Sequence, residues 1–274
     1  MKNKDWKRCI ELRGKSFERN FETFLTIHHK NDEKDNKSTG KAFAVMQVGE
    51  PSSGMNASVL AFVRILILNG RTVFGVNNGF EGLVEGKLFQ MKWSDVNAWT
   101  CESGALLGTS KVPIKITPKQ LKCIAEQLRK NKINGILVIG GFAGFRMIRE
   151  ILNGRKSFEE SLPELKIPIC LIPATINNNI PGSELSLGTD STLNKITNLC
   201  TDILISNRGI TGRVYIVKVK SGYCGYLTVM SALASGAEYC YIFEDNFNEN
   251  DVRKDAKSLK NKMISDKANR LVIM

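Results

Sequence analysis

Short apolar runs rich in β-branched residues recur along this chain, and most give way to a glycine- or asparagine-bearing loop and then to helical spacing. Phe43–Val48, Thr72–Val76, Gly135–Gly141, Ile167–Ile172, Arg213–Val219 and Tyr239–Phe243 are such runs. Helices are expected over residues 57–68, 117–131, 143–152, 191–205 and 250–265, with a small-residue helix ending near Gly236. Strand alternating with helix predicts an α/β fold with a largely parallel sheet, because parallel neighbours need a crossover between them. Asn77–Gly82 reads as a turn-rich connection, and Trp93–Lys111 as a loop that approaches a ligand or another backbone closely.

Three segments follow. Residues 1–41 combine an amphipathic pattern (Trp6, Cys9, Ile10 and Leu12, then Phe17, Phe21, Phe24 and Leu25) with a polar linker from His29 to Lys41. Residues 42–188 form a first α/β subdomain and residues 189–274 a second. The last run, Leu271–Met274, stops without cap, turn or polar tail. Termini are usually polar and exposed, so the expectation is a fragment with an incomplete second subdomain.

The formal net charge is +12, which favours anionic partners. The basic residues gather toward the two ends without interleaved aromatics, and no nucleic-acid motif accompanies them, so no nucleic-acid partner is expected. Met1–Arg8 is charged and lacks the apolar core of a signal peptide, and no apolar run has membrane-spanning length. A cytoplasmic protein without a membrane partner is expected. The seven cysteines contain no CxxC pair, and His28 and His29 have no second ligand cluster, so neither a metal site nor a disulfide framework is expected.

Pro173-Ala174-Thr175-Ile176-Asn177-Asn178-Asn179-Ile180-Pro181-Gly182 follows a β-rich run, where open α/β sheets place their ligands. Its amides and hydroxyl supply neutral donors and acceptors and no charge. Two readings fit: a loop that holds phosphate or sugar oxygens, or an Asx-rich turn without a ligand. Neither provides a base, since an amide does not titrate near neutral pH. Gly49-Glu50-Pro51-Ser52-Ser53-Gly54, between a strand and a helix, can also present backbone N–H groups to phosphate, although it is neither G-x-G-x-x-G nor a Walker A sequence.

The chain resembles the C-terminal half of eukaryotic ATP-dependent 6-phosphofructokinases. The resemblance rests on Val48-Gly49-Glu50-Pro51-Ser52-Ser53-Gly54-Met55-Asn56, Leu107-Gly108-Thr109-Ser110-Lys111, Ile139-Gly140-Gly141-Phe142, Pro173–Asn179 and Ser221-Gly222-Tyr223-Cys224-Gly225-Tyr226-Leu227, with Leu12–Phe17 resembling the segment that joins the two halves. It implies Rossmann-type layers and a glycolytic kinase that works as a homotetramer with ATP and Mg2+. It also implies a catalytic N-terminal half elsewhere in the polypeptide. In such enzymes the C-terminal half is regulatory, its former active site binding fructose 2,6-bisphosphate or a related sugar phosphate. The resemblance places Lys111, Thr175, Ile176, Asn177, Asn178, Asn179, Arg213, Lys220, Ser221 and Gly222 around that effector, with Arg213 delivered from a neighbouring subunit. It makes Gly49, Gly140 and Gly141 former nucleotide loops.

Catalytic relatives carry aspartates where this chain has Pro51, Phe142 and Asn177. Phosphoryl transfer needs a metal at the phosphates and a group that orients or deprotonates the attacking hydroxyl. No catalytic residue is therefore expected, Asn177 standing at a degenerate base position, and no cofactor is expected to bind this half. The resembling enzymes usually have arginine at Lys111 and methionine-glycine at Lys220-Ser221. Other readings are a stand-alone sugar-phosphate kinase, against which the missing carboxylates argue, a nicotinamide-dependent reductase, against which the loop spacing argues, and an assembly module of the same enzyme.

Overall fold

The structure is a computed structural model and describes residues 12, 14, 17–19, 21–22, 40–157, 161–206, 212–220, 222–266 and 270–273. The expectations for Trp6, Cys9, Ile10, Phe24, Leu25, the His28–His29 pair, most of the polar linker and Ser221 fall outside them. The chain forms two compact units, Met1–Thr39 and Gly40–Met274. In the first, the described residues are helical, and the Phe17 and Phe21 rings stack with centroids 6.3 Å apart, as their spacing predicts.

The second unit is built on a five-stranded sheet of order β3-β2-β1-β4-β5. Its strands are β1 (Ala42–Val48), β2 (Thr72–Val76), β3 (Leu88–Gln90), β4 (Ile133–Gly140) and β5 (Ile169–Pro173). All pairings are parallel except β2 with β3. Four helices accompany it: α1 (Met55–Leu68), α2 (Gly79–Glu85), α3 (Pro118–Lys130) and α4 (Phe142–Ser157). Side chains alternate across the sheet. Ala44, Met46, Val48, Ile136 and Val138 face a core with residues of α2, α3 and α4, while Val45, Leu137 and Ile139 face Met55, Val59 and Val63 of α1. Both faces are thus covered, which is why the central strands read as nearly continuous apolar runs.

Local sequence fixes the helix ends. Thr117 and Gln120 close a capping box on α3, with Thr117 N–H donating to Gln120 Oε1 at 2.9 Å and Gln120 N–H to Thr117 Oγ1 at 3.3 Å. Pro118 occupies the first turn, and Arg129 and Lys130 the last, matching the helix dipole.

A second sheet is wholly parallel, of order β6-β8-β7, with β6 (Val214–Val217), β7 (Tyr239–Cys240) and β8 (Arg270–Ile273). Tyr215, Val217, Leu271 and Ile273 pack with Cys200 of α5 (Thr189–Ser206) and Ala232 of α6 (Tyr226–Ser235). A final helix, α7 (Glu249–Asp266), precedes β8.

Two readings are corrected. Asn77–Gly82, expected as a turn connection, opens α2 and is followed by the antiparallel β3. Glycines at positions 79 and 82 weaken the local helical signal, and burial of Phe80 and Leu83 overrides it. The runs expected over 213–219 and 239–243 are strands only at Val214–Val217 and Tyr239–Cys240, their flanks leaving the sheet as loops.

Candidate effector-binding site

The β1–β4–β5 register brings three loops together. Val48 pairs with Gly140, and Gly140 with Pro173, so the strands end side by side and release Gly49, Gly141 and Ala174 at one edge. β1 also lies where the chain reverses its direction across the sheet, the crevice in which such sheets bind ligands. The contact demands small residues: a Cβ at Gly140 would lie 2.2 Å from the Val48 carbonyl oxygen. One at Gly141 would lie 3.0 Å from Thr175 Cβ, and one at Gly49 would lie 3.3 Å from Ala143 Cβ.

Over this edge opens a cleft of about 760 Å³. The β1 exit contributes Gly49, Glu50 and Pro51, and a second loop Thr109–Val112. The start of α4 adds Gly141–Ala143 and Arg146, the asparagine loop Thr175–Asn177 and Asn179, and the β6 exit Lys220 and Gly222.

Hydrogen bonds hold the loops in place. Leu107 N–H donates to Gln47 Oε1 at 3.0 Å and Leu106 N–H to Asn56 Oδ1 at 2.9 Å, anchoring the segment that leads to Lys111. Asn178 adopts a left-handed φ of 53° and turns away from the cleft. Its Nδ2 donates to Glu184 O at 3.0 Å and its Oδ1 accepts from Ser186 N–H at 2.9 Å, so it pins the loop. Thr189 Oγ1 donates to Thr175 O at 2.8 Å, and Asn177 N–H to Thr175 Oγ1 at 3.2 Å. Gly222 approaches so closely that a Cβ there would sit 2.4 Å from Asn177 Nδ2.

Of the residues named from the sequence, Gly49, Lys111, Gly141, Thr175, Ile176, Asn177, Asn179, Lys220 and Gly222 come together around the cleft. Gly140 lies beneath it in β4, and Asn178 supports it from behind. Arg213 does not line it: this residue precedes β6, whereas Lys220 follows that strand's other end.

Lys111, Arg146 and Lys220 line the cleft, and among the described residues none has a carboxylate partner. Among the described residues Glu50 is the only carboxylate in its lining, and it is exposed. The described lining is therefore net cationic. Asn179 Oδ1 is buried without a donor.

The family model described as Phosphofructokinase matches residues 42–274. The chain belongs to the phosphofructokinase family. It is 43% identical over 267 residues to ATP-dependent 6-phosphofructokinase 1 of Caenorhabditis elegans, covering 96% of this chain and 32% of that protein. It is 40% identical over 263 residues to the human muscle-type ATP-dependent 6-phosphofructokinase, covering 96% of this chain and 33% of that one. It thus spans about a third of the length of these relatives. The structure of phosphofructokinase from Saccharomyces cerevisiae superposes with a TM-score of 0.78 at 32% identity, over 98% of this chain and 36% of the yeast chain. The α/β reading with a mostly parallel sheet agrees with this fold.

Among the described residues, the lining of this phosphofructokinase cleft offers one carboxylate, Glu50, to a magnesium ion. Among the described residues no group of three His, Cys, Asp or Glu side chains could hold a metal ion. Phe142, 47% exposed, occupies the first helical position after the glycine pair, and Asn177 presents an amide in the cleft lining. No described helix is long and apolar enough to cross a membrane. The six described cysteines are free thiols.

Arg146 is a lining residue that motif reading passes over. Arg146 falls four residues after Phe142, on the same face of α4.

Proposed function

We propose that this chain is part of an ATP-dependent 6-phosphofructokinase, acting in glycolysis to phosphorylate fructose 6-phosphate, and forms its regulatory half. In this reading its cleft binds a sugar phosphate of the fructose 2,6-bisphosphate class and transfers no phosphoryl group. Residues 42–188 and 189–274 serve as its two subdomains. The catalytic half and further copies of the same cytoplasmic enzyme are its partners.

The observation that carries this reading is the pairing of three cations lacking carboxylate partners with a lining that holds no metal-binding carboxylate cluster. Cations without carboxylate partners attract phosphate. Binding therefore has its groups, while chemistry at a metal-bound triphosphate lacks them. Arg213 fits the reading only as a contribution from another copy, because it stands away from this cleft.

The test is a calorimetric titration of the 274-residue chain with fructose 2,6-bisphosphate, alongside a coupled assay with ATP and fructose 6-phosphate. One saturable site that weakens with salt, and no turnover, is the expected result. Turnover above background, or no saturable binding, rejects the reading.

A further inference from the structure

Two consecutive residues beyond β6 adopt the left-handed backbone, Gly222 at φ 53° and Tyr223 at φ 62°. Glycine enters that region without a steric penalty, whereas a bulky side chain there is an outlier that its surroundings must hold in place. Burial is not what holds Tyr223, since it is 81% exposed. Its ring meets that of Phe243, itself 67% exposed, edge-on with centroids 4.9 Å apart and planes at 71°.

That contact joins two loops whose strands do not pair. β6 and β7 lie on opposite sides of β8, and Val217 and Cys240 both pair with Ile273, so the two strands end at the same level. Their exits then touch. Gly225 N–H donates to Glu244 Oε1 at 2.7 Å, and a Cβ at Gly225 would lie 2.8 Å from Ile242 Cβ. The β6 exit also meets the asparagine loop, through the close approach of Gly222 to Asn177. Lys220 and Gly222 line the cleft, and Tyr223, the next residue, does not. The ring pair thus stands one residue outside the cleft wall.

We propose that Tyr223 is a positioning residue of this cleft: clasped to Phe243, it keeps the β6 exit in its left-handed turn, with Gly222 against Asn177 and Lys220 in the lining. The proposal rests on the reading of the cleft as a sugar-phosphate site. A tyrosine where glycine would be unstrained makes the conformation of the loop depend on the ring contact. Both rings are largely exposed, so losing the contact frees the loop and leaves the hydrophobic core as it was.

The experiment titrates the 274-residue chain with fructose 2,6-bisphosphate and unfolds it in urea, in wild type, Tyr223→Phe, Tyr223→Gly, Phe243→Leu and the combination of the last two. Tyr223→Phe keeps the ring and should bind within about twofold of wild type. Tyr223→Gly and Phe243→Leu should each weaken binding about two- to tenfold, the worth of an aromatic pair. The combined variant should bind no worse than either, because the two side chains act as one clasp. The urea midpoint of Tyr223→Gly should move little, since relief of the left-handed strain offsets the lost contact. A clasp that served stability alone would lower the midpoint and leave affinity unchanged. Wild-type affinity in Tyr223→Gly, or losses that add in the combined variant, overturns the role of Tyr223 while leaving the sugar-phosphate site standing. Wild-type protein that does not bind the sugar overturns both. Should Tyr223→Gly fail to fold, Phe243→Leu decides by its own affinity, unchanged binding there overturning the clasp.

Discussion

Gln47 Nε2 donates to Asn56 Oδ1 at 3.0 Å, joining the buried end of β1 to the first turn of α1. Both residues are almost wholly buried, and both are committed further. Gln47 Oε1 receives Leu107 N–H, Asn56 Oδ1 receives Leu106 N–H, and Asn56 Nδ2 reaches the carbonyls of Glu102 and Ser103. A pair of amides thus replaces secondary structure for a loop that has none, and that loop carries Lys111 to the cleft.

Gln47→Leu keeps the volume and removes this network's centre. It orphans Leu107 N–H, a buried polar loss of about 1–3 kcal/mol, and takes one of two donors from Asn56 Oδ1, which keeps Leu106 N–H. The expected outcome is a stability loss of about 2–4 kcal/mol in urea unfolding. Sugar-phosphate affinity should fall as well, since Lys111 loses its anchor. A variant as stable as wild type, with unchanged affinity, would show that the loop is held by other contacts.

Asn177→Asp places a carboxylate in the cleft lining, yet on the proposed reading it should create no kinase activity. Phe142 still occupies the first turn of α4, and no described cluster of acids stands ready for a metal. A base without charge compensation at the phosphates leaves the larger part of the barrier in place. Magnesium-ATP-dependent product in a coupled assay of purified Asn177→Asp protein contradicts this account.

The β–α alternation made the sheet legible, because both faces of β1 and β4 are largely buried and their apolar runs are nearly continuous. The loops that line the cleft were legible where they leave β4 and β5, as a glycine pair after Ile139 and an asparagine run after Pro173. α2 was hidden because its glycines carry no helical signal and its stability comes from burying Phe80 and Leu83. Arg146 was hidden for another reason. A cation on a helix reads as a solvated surface residue until its neighbours are known, and only the contact with Val112 O puts it in the cleft. Asn178 and Asn177 look alike in the sequence, and their hydrogen bonds alone separate a loop pin from a cleft residue.

Stability of the second sheet should depend on acid through Glu238. Its carboxylate meets Lys262 Nζ at 2.7 Å and Arg270 Nη1 at 2.8 Å. The hydrogen bond from Lys262 chiefly, with the charge of Arg270, holds its pKa below the ordinary glutamate value. A depressed folded-state pKa contributes stability that is full above the unfolded value, near 4.3, and is lost as pH falls through the folded value. Glu238→Gln should therefore lower the melting temperature at pH 7 and flatten its decline below about pH 4.3. Parallel wild-type and variant melting curves across pH 3 to 7 would assign the acid sensitivity to other groups.

Gly222 and Asn177 should be energetically coupled. Gly222 has φ +53°, where a side chain is strained, and a Cβ there would lie 2.4 Å from Asn177 Nδ2. Gly222→Ala thus carries two penalties: about 1–2 kcal/mol for the left-handed backbone, and a collision that displaces Asn177 or the Lys220 loop. Trimming Asn177 to alanine removes the colliding amide and leaves the backbone cost. The double variant should consequently be less impaired than the sum of its parts, with a coupling of about 0.5–3 kcal/mol in unfolding free energy. Sugar-phosphate affinity should follow the same order, with Gly222→Ala weaker than Gly222→Ala combined with Asn177→Ala. The second variant recovers the position of Lys220 even though it lacks one neutral contact. A double-mutant cycle by urea unfolding and calorimetric titration measures both. Strict additivity would mean that the β6 exit loop and the asparagine loop do not touch in solution, and that the cleft is more open at this end than the contact implies.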